Sequence, residues 1–176
     1  MQLDALQASD SVLLLLLITA VVLDFKYFKI SNRLILTGYI LALIIRCAQN
    51  GPIEFIYVLV NISIPVIVLY LFYRMRAIGA GDIKLFSMVG SFVNLKEMMV
   101  CIGFSFVIGA VLALGKLLYA RNLAQEIWKG GNYIWGWLQG REDTYAWTYG
   151  KKGNVMHFSI AILLGVMAMR IYEIVM

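Results

Sequence analysis

Long apolar runs are the feature that most restricts what this chain can fold into. Short polar or charged connectors separate six of them, at about 8–25, 34–47, 53–73, 82–93, 98–118 and 155–176. Hydrophobic residues make up 62% of the chain, whereas soluble domains contain ~45–50%. A helix needs roughly 17–25 apolar residues to cross a bilayer, and most of the runs are close to that length. We therefore predict an all-α integral membrane protein with six transmembrane helices.

The positions of the basic residues predict how these helices are oriented. Lysine and arginine concentrate on the cytoplasmic side of membrane proteins. If the N-terminus lies outside, the three cytoplasmic connectors hold most of the 15 Lys and Arg residues. These connectors are 26–33, 74–84 and 116–152. We expect a multi-pass protein of the cytoplasmic membrane with both ends outside and the bilayer as its surroundings. The net charge of +5 therefore reflects topology, and no nucleic-acid-binding element is visible.

One long polar stretch, about 119–154, separates the fifth and sixth runs. It contains all four tryptophans of the chain. Trp and Tyr favour the headgroup region of a bilayer, so we predict a Trp-rich cytoplasmic interfacial loop. The loop would be part of a single membrane-embedded domain covering residues 1–176. A mobile lid or a substrate-docking segment over a site on that face is the alternative interpretation.

The short fourth run begins with the sequence Gly79-Ala80-Gly81-Asp82. A carboxylate that enters lipid is costly, so an acid at this place indicates a functional site. The run's dozen residues reach only ~18 Å, against a hydrocarbon core of ~30 Å. Either the helix begins below the membrane surface or the bilayer is thin there. The glycines would let the backbone turn and let other groups approach closely, because they carry no Cβ.

Asp24 supplies a second acid at the predicted depth of Asp82. It ends the first run on the cytoplasmic side, and these two are the only Asp or Glu residues placed at cytoplasmic ends of the predicted spans. Two close carboxyl groups share a proton, so one can activate water while the other polarises a carbonyl. Such a pair needs neither a metal nor another cofactor. Cys47 and Cys101 form no Cys-x-x-Cys motif, so no metal site is predicted from them.

Two motifs carry a resemblance to a known family. Residues 79–82 resemble the GxGD motif of membrane-embedded aspartic proteases. The pattern from Asp24 to Asn32 resembles the first-aspartate motif of type IV prepilin peptidases, in which a proline usually stands at the position of Ser31. The small size of the chain resembles the enzymes of Flp, or tight-adherence, pilus systems. The resemblance implies a GxGD aspartic protease fold with catalytic Asp24 and Asp82. It implies supporting roles for four further motif residues: Gly79, Gly81, Lys84 and Asn32.

The function that the resemblance implies is prepilin leader peptidase. The substrate would be a pilin-like precursor with a leader peptide and a hydrophobic helix, cut on the cytoplasmic side. N-methylation of the product is not expected, because the Cys-x-x-Cys motifs of the larger bifunctional enzymes are missing. An enzyme like the archaeal preflagellin peptidases and a small proton or cation transporter component are the alternatives. Family members often have a proline-containing motif at the start of the last helix, where this chain has Met156-His157-Phe158-Ser159. We interpret His157 as an interfacial residue.

Overall fold

The computed structural model describes residues 2–75, 77–119 and 157–175, and the isolated positions Trp128, Trp135 and Gln139. These residues form six α-helices and no strand, so the all-α prediction is confirmed for this part of the chain. The helices are α1 (Gln2–Tyr27), α2 (Asn32–Asn50), α3 (Glu54–Arg74), α4 (Ala80–Phe92), α5 (Leu95–Tyr119) and α6 (Phe158–Val175).

Three of the helices are long and apolar enough to cross a membrane. The segments are Glu54–Arg74 of α3, Leu95–Lys116 of α5 and Phe158–Val175 of α6. All three helices expose large apolar side chains, such as Ile67, Val107 and Ile171. Exposed apolar side chains are more stable in lipid than in water, so the protein is a membrane protein. The count of six spans and their orientation stay predictions.

The short helix α4 lies among the other helices. It packs against α1, α2, α3 and α6, and its residues from Leu85 to Phe92 are all buried. The helix has 13 residues and is therefore ~20 Å long. Because protein surrounds it, α4 buries its apolar residues without facing lipid along its length. This packing explains why the fourth apolar run is so much shorter than its neighbours.

The contact between α3 and α4 depends on two residues that normally disturb helices. Pro65 has no N–H, so the carbonyl of Asn61, four residues earlier, lacks its usual helical donor. Gly90 of α4 packs against that carbonyl, and a Cβ at Gly90 would lie 2.5 Å from the Asn61 oxygen. The Asn61 side chain in turn donates a hydrogen bond of 3.0 Å to the carbonyl of Val93. These contacts hold the C-terminal end of α4 against α3.

Arg46 of α2 holds the same end of α4. Its guanidinium donates hydrogen bonds to the carbonyl of Val93 at 3.0 Å and to Oδ1 of Asn94 at 2.9 Å. It also forms an ion pair of 3.0 Å with Glu54. The position of α4, and hence of Asp82 at its opposite end, is therefore set by polar contacts with both α2 and α3.

The structure separates into two compact units. The first comprises Met1–Ile108 and His157–Met176, and the second comprises Gly109–Met156. The second contains the C-terminal part of α5; most of its other residues are outside those described. The predicted Trp-rich loop at 119–154 also lies outside the described residues, apart from Tyr119 and the three isolated positions. The prediction of a single domain over 1–176 therefore remains a prediction.

Candidate active site

Asp24 lies in the last turn of α1, and its side chain is largely buried, with 14% exposed. Its Oδ2 atom accepts a hydrogen bond of 2.6 Å from the hydroxyl of Ser159. Nδ1 of His157 lies 3.1 Å from the same oxygen, a hydrogen bond when that nitrogen carries the proton. Both partners come from the start of α6, so the predicted catalytic Asp24 is oriented by the last helix.

Asp82 lies in the first turn of α4, three residues after the N-cap residue Gly79. The backbone N–H of Gly79 donates a hydrogen bond to the Asp82 carboxyl group. This is one half of a capping box, in which an acidic side chain in the first turn accepts a hydrogen bond from the N-cap N–H; Gly79 has no side chain to return the bond. The side chain of Asp82 is therefore held by its own helix, whereas that of Asp24 is held by another.

Gly79 supplies space rather than an unusual backbone conformation. Its φ of −76° is open to any residue, so the expected use of glycine to turn the backbone is not seen at this position. A Cβ at Gly79 would lie 3.2 Å from Oδ2 of Asp82, which is tighter than most carbon–oxygen contacts. A Cβ at Gly81 would make an ordinary contact of 3.6 Å with the side chain of Ile30. The space beside Oδ2 of Asp82 is therefore limited at Gly79.

The structure places the two acids within electrostatic reach of each other. The negative charge of Asp24 acts on the Asp82 carboxyl group, so the two groups repel each other when both are ionised. Helices α1 and α4, which carry them, are in contact. A carboxylate accepts a proton and a protonated carboxyl group donates one. Two such groups within electrostatic reach of each other can therefore serve a reaction as proton acceptor and proton donor.

The other two predicted supporting residues contact each other. Nζ of Lys84 donates a hydrogen bond of 2.9 Å to Oδ1 of Asn32. Lys84 lies on α4 and Asn32 is the first residue of α2, so the bond ties the starts of these two helices together. Lys84 and Asn32 are thus found in contact with each other, which the sequence did not predict.

Sequence reasoning missed the residues that hold Asp24. His157 was interpreted as interfacial and Ser159 was given no role, yet both contact the Asp24 carboxyl group. The His157 ring also stacks on Phe25, with ring centroids 4.4 Å apart, and lies 5.1 Å from the ring of Phe28. One signal was present in the sequence: the single histidine of the chain begins the last helix on the side predicted for both acids.

The described residues contain no group of three or more His, Cys, Asp or Glu side chains placed as metal ligands. Both cysteines are free thiols, with Cys101 buried and Cys47 partly buried. Among these residues the candidate site is thus built from carboxyl, hydroxyl and imidazole groups.

Fold and site together define a class of protein. It is an all-helical membrane protein with two interacting acids, one in the last turn of α1 and one in the first turn of α4. The family model described as the type IV leader peptidase family matches residues 11–114, which is more than half of the chain. The chain therefore belongs to the type IV leader peptidase family. The match includes Asp24 and Asp82 and ends before α6, so His157 and Ser159 lie beyond it. No curated protein and no solved structure matches the chain significantly.

Proposed function

We propose that the protein is an aspartic endopeptidase that removes the leader peptide from type IV pilin-like precursors of the Flp type. The observation that carries the proposal is the interaction of Asp24 with Asp82 in a chain of the type IV leader peptidase family. A peptidase of this kind needs a proton acceptor and a proton donor on either side of one peptide bond. Two carboxyl groups that share a proton meet that need.

The two acids would hydrolyse the peptide bond through an activated water molecule. The ionised carboxylate takes a proton from water, and the water oxygen attacks the carbonyl carbon of the scissile bond. The protonated carboxyl group gives its proton to the carbonyl oxygen, which yields a tetrahedral diol. The first carboxyl group then protonates the leaving nitrogen as the C–N bond breaks, and the second takes a proton from the diol. The leader leaves with a new carboxyl group, the pilin with a new amine, and both acids regain their starting states.

The predicted topology supports cleavage on the cytoplasmic side of the cytoplasmic membrane. The excess of basic residues in the connectors that flank Asp24 and Asp82 favours this side for both acids. The hydrophobic helix of the precursor would lie in lipid, with the leader and the scissile bond at the depth of the acids. The substrate would thus reach the site without leaving the membrane.

The test is coexpression of the full chain with a Flp-type pilin precursor, with leader removal measured on a gel. We expect the wild-type chain to shorten the precursor, and Asp24→Asn and Asp82→Asn each to abolish cleavage while still inserting into the membrane. Glu173→Gln is the matched control, because Glu173 lies about 21 Å along α6 from Ser159. Its partner Arg170 keeps ion pairs with Asp10 and Glu97.

Continued cleavage in either active-site variant would contradict the two-aspartate assignment. A chain that leaves every precursor intact and conducts protons or cations through the two acids would instead be a transporter component.

A further inference from the structure

The contacts between α6 and Asp24 extend the site beyond the residues of the family match. We infer that His157 and Ser159 are positioning residues that hold the Asp24 carboxyl group in its reactive orientation. The inference rests on the proposed function for its kinetic consequence. Its structural part, the approach of the Ser159 hydroxyl and of the His157 ring nitrogen to one carboxyl oxygen, does not depend on that function.

The two donors converge on a single oxygen of Asp24. Ser159 approaches Oδ2 to 2.6 Å and His157 to 3.1 Å. A carboxyl group turns about one bond, so two donors from different positions on α6 restrict that rotation in a way that one donor does not. Within the described part of the chain, neither donor bonds to Oδ1 of Asp24. Rotation is therefore restricted while one oxygen is left for chemistry.

The His157 ring is itself fixed by two aromatic side chains from the end of α1. Phe25 stacks on it with an interplanar angle of 29°, and Phe28 lies tilted against it at 34°. The imidazole side chain is 17% exposed, so it has little freedom to leave this position. The two rings thus restrict the plane of the imidazole, and within that plane Nδ1 faces Asp24.

The backbone at Phe28 indicates that this arrangement is enforced. Phe28 has a φ of +52°, the only positive value at a non-glycine residue in the described chain. A bulky side chain rarely adopts this conformation, and such strain persists only where the surrounding structure imposes it. The N–H of Phe28 bonds to the carbonyl of Asp24 at 2.8 Å, which is the usual bond between residues four apart in a helix. Phe28 thus ends α1 in the left-handed conformation, with its ring centroid 5.1 Å from that of His157.

The consequence is that the two acids are held by different parts of the fold. Asp82 is held within α4 by the N–H of Gly79, whereas Asp24 depends on side chains more than 130 positions later in the chain. Loss of either donor should leave the acid present and insertion intact, but should let the carboxyl group rotate. A hydrogen bond to a charged group contributes ~1.5–3 kcal/mol, which corresponds to a change in rate of roughly ten- to a hundredfold.

Two pairs of variants separate the hydrogen bonds from the packing. Ser159→Ala removes the hydroxyl donor and Ser159→Thr keeps it. His157→Phe keeps an aromatic ring between Phe25 and Phe28 but has no donor, and His157→Asn keeps a donor near the place of Nδ1 but has no aromatic ring. Cleavage of a Flp-type precursor is measured with the full-length protein in proteoliposomes, giving kcat and KM. Ser63→Ala is the matched control, since Ser63 is an exposed serine on α3 whose hydroxyl bonds to its own helix.

We expect kcat to fall roughly ten- to a hundredfold in Ser159→Ala and His157→Phe, with KM within about twofold. Ser159→Thr and His157→Asn should retain most of the activity. Equal kcat for Ser159→Ala and wild type, or higher activity in His157→Phe than in His157→Asn, would overturn the inference. A fall in all four variants with a parallel rise in KM would also overturn it, because that pattern indicates a packing role.

A spectroscopic measurement keeps the inference testable if no precursor is cleaved. The infrared difference between the wild type and Asp24→Asn identifies the carboxyl band of Asp24. We expect this band to shift in Ser159→Ala and to stay unchanged in Ser63→Ala. An unshifted band would contradict the hydrogen bonding itself, whereas a shifted band with no cleavage by the wild type would contradict only the proposed function.

Discussion

The substitution Gly90→Ala tests whether α4 is held by its close approach to α3. The new Cβ would lie 2.5 Å from the carbonyl oxygen of Asn61 and 3.4 Å from Cγ of Pro65. The nearest atom belongs to backbone, so it cannot turn away as a side chain would. Ordinary non-bonded contacts lie at ~3.5 Å, so the two helices must separate by about 1 Å.

That separation would also break a hydrogen bond between the same helices. The Asn61 side chain bonds to the carbonyl of Val93 at 3.0 Å, and a shift of about 1 Å takes this pair beyond hydrogen-bond range. Overpacking costs about 1–3 kcal/mol and each lost hydrogen bond about 0.5–1.5 kcal/mol. We therefore expect Gly90→Ala to lower the free energy of unfolding by about 2–4 kcal/mol, measured by denaturant titration in mixed micelles.

Two other glycines provide matched controls. A Cβ at Gly103 would meet no atom within 4 Å, so Gly103→Ala should be neutral or slightly stabilising through helix propensity. A Cβ at Gly38 would lie 2.5 Å from Cγ and Sδ of Met88. Met88 is fully buried, but a methionine side chain can change its rotamer, whereas a backbone carbonyl cannot. Gly38→Ala should therefore cost less than Gly90→Ala. Wild-type stability in Gly90→Ala, or an equal loss in Gly38→Ala, would refute the reasoning.

Two further predictions concern the start of α4. Gly79→Ala should lower the rate of leader cleavage severalfold, because its Cβ would crowd Oδ2 of Asp82 at 3.2 Å. Gly81→Ala should cleave at close to the wild-type rate. A kinetic assay in which Gly81→Ala is slower than Gly79→Ala would contradict this prediction. Lys84→Met and Asn32→Ala should each lower the free energy of unfolding by less than about 1 kcal/mol, since their shared hydrogen bond is exposed. The double variant should lose no more than either single variant, and additive losses in a double-mutant cycle would show that the two side chains act separately.

The sequence was sufficient to predict the helical class, and it also singled out two acids as candidates for the site. Lipid accepts only segments whose backbone is hydrogen-bonded internally, so long apolar runs predict helices from composition alone. An acid at the edge of such a run is costly, so Asp24 and Asp82 stand out without knowledge of the packing. The structure confirms the helices and places the two acids within electrostatic reach of each other.

The partners of these acids could not be predicted in the same way. Each of the contacts made by Ser159, His157 and Lys84 joins residues more than 50 positions apart, and no local pattern specifies such pairs. The role of Gly90 was also hidden, since a glycine in an apolar helix has many possible reasons. Its reason is the carbonyl of Asn61, which is left without a helical donor by Pro65 on a different helix.

Hydrophobicity and charge are properties of single segments, and they determined by themselves that this chain is a helical membrane protein with an acid at the ends of two helices. The orientation of those acids depends on how the helices pack, and only the tertiary structure decided it. Packing placed the start of α6 against Asp24 and left room beside Asp82 at Gly79. The physical reason is that a carboxyl group is oriented by the donors and the space around it, and these come from whichever residues the fold brings there.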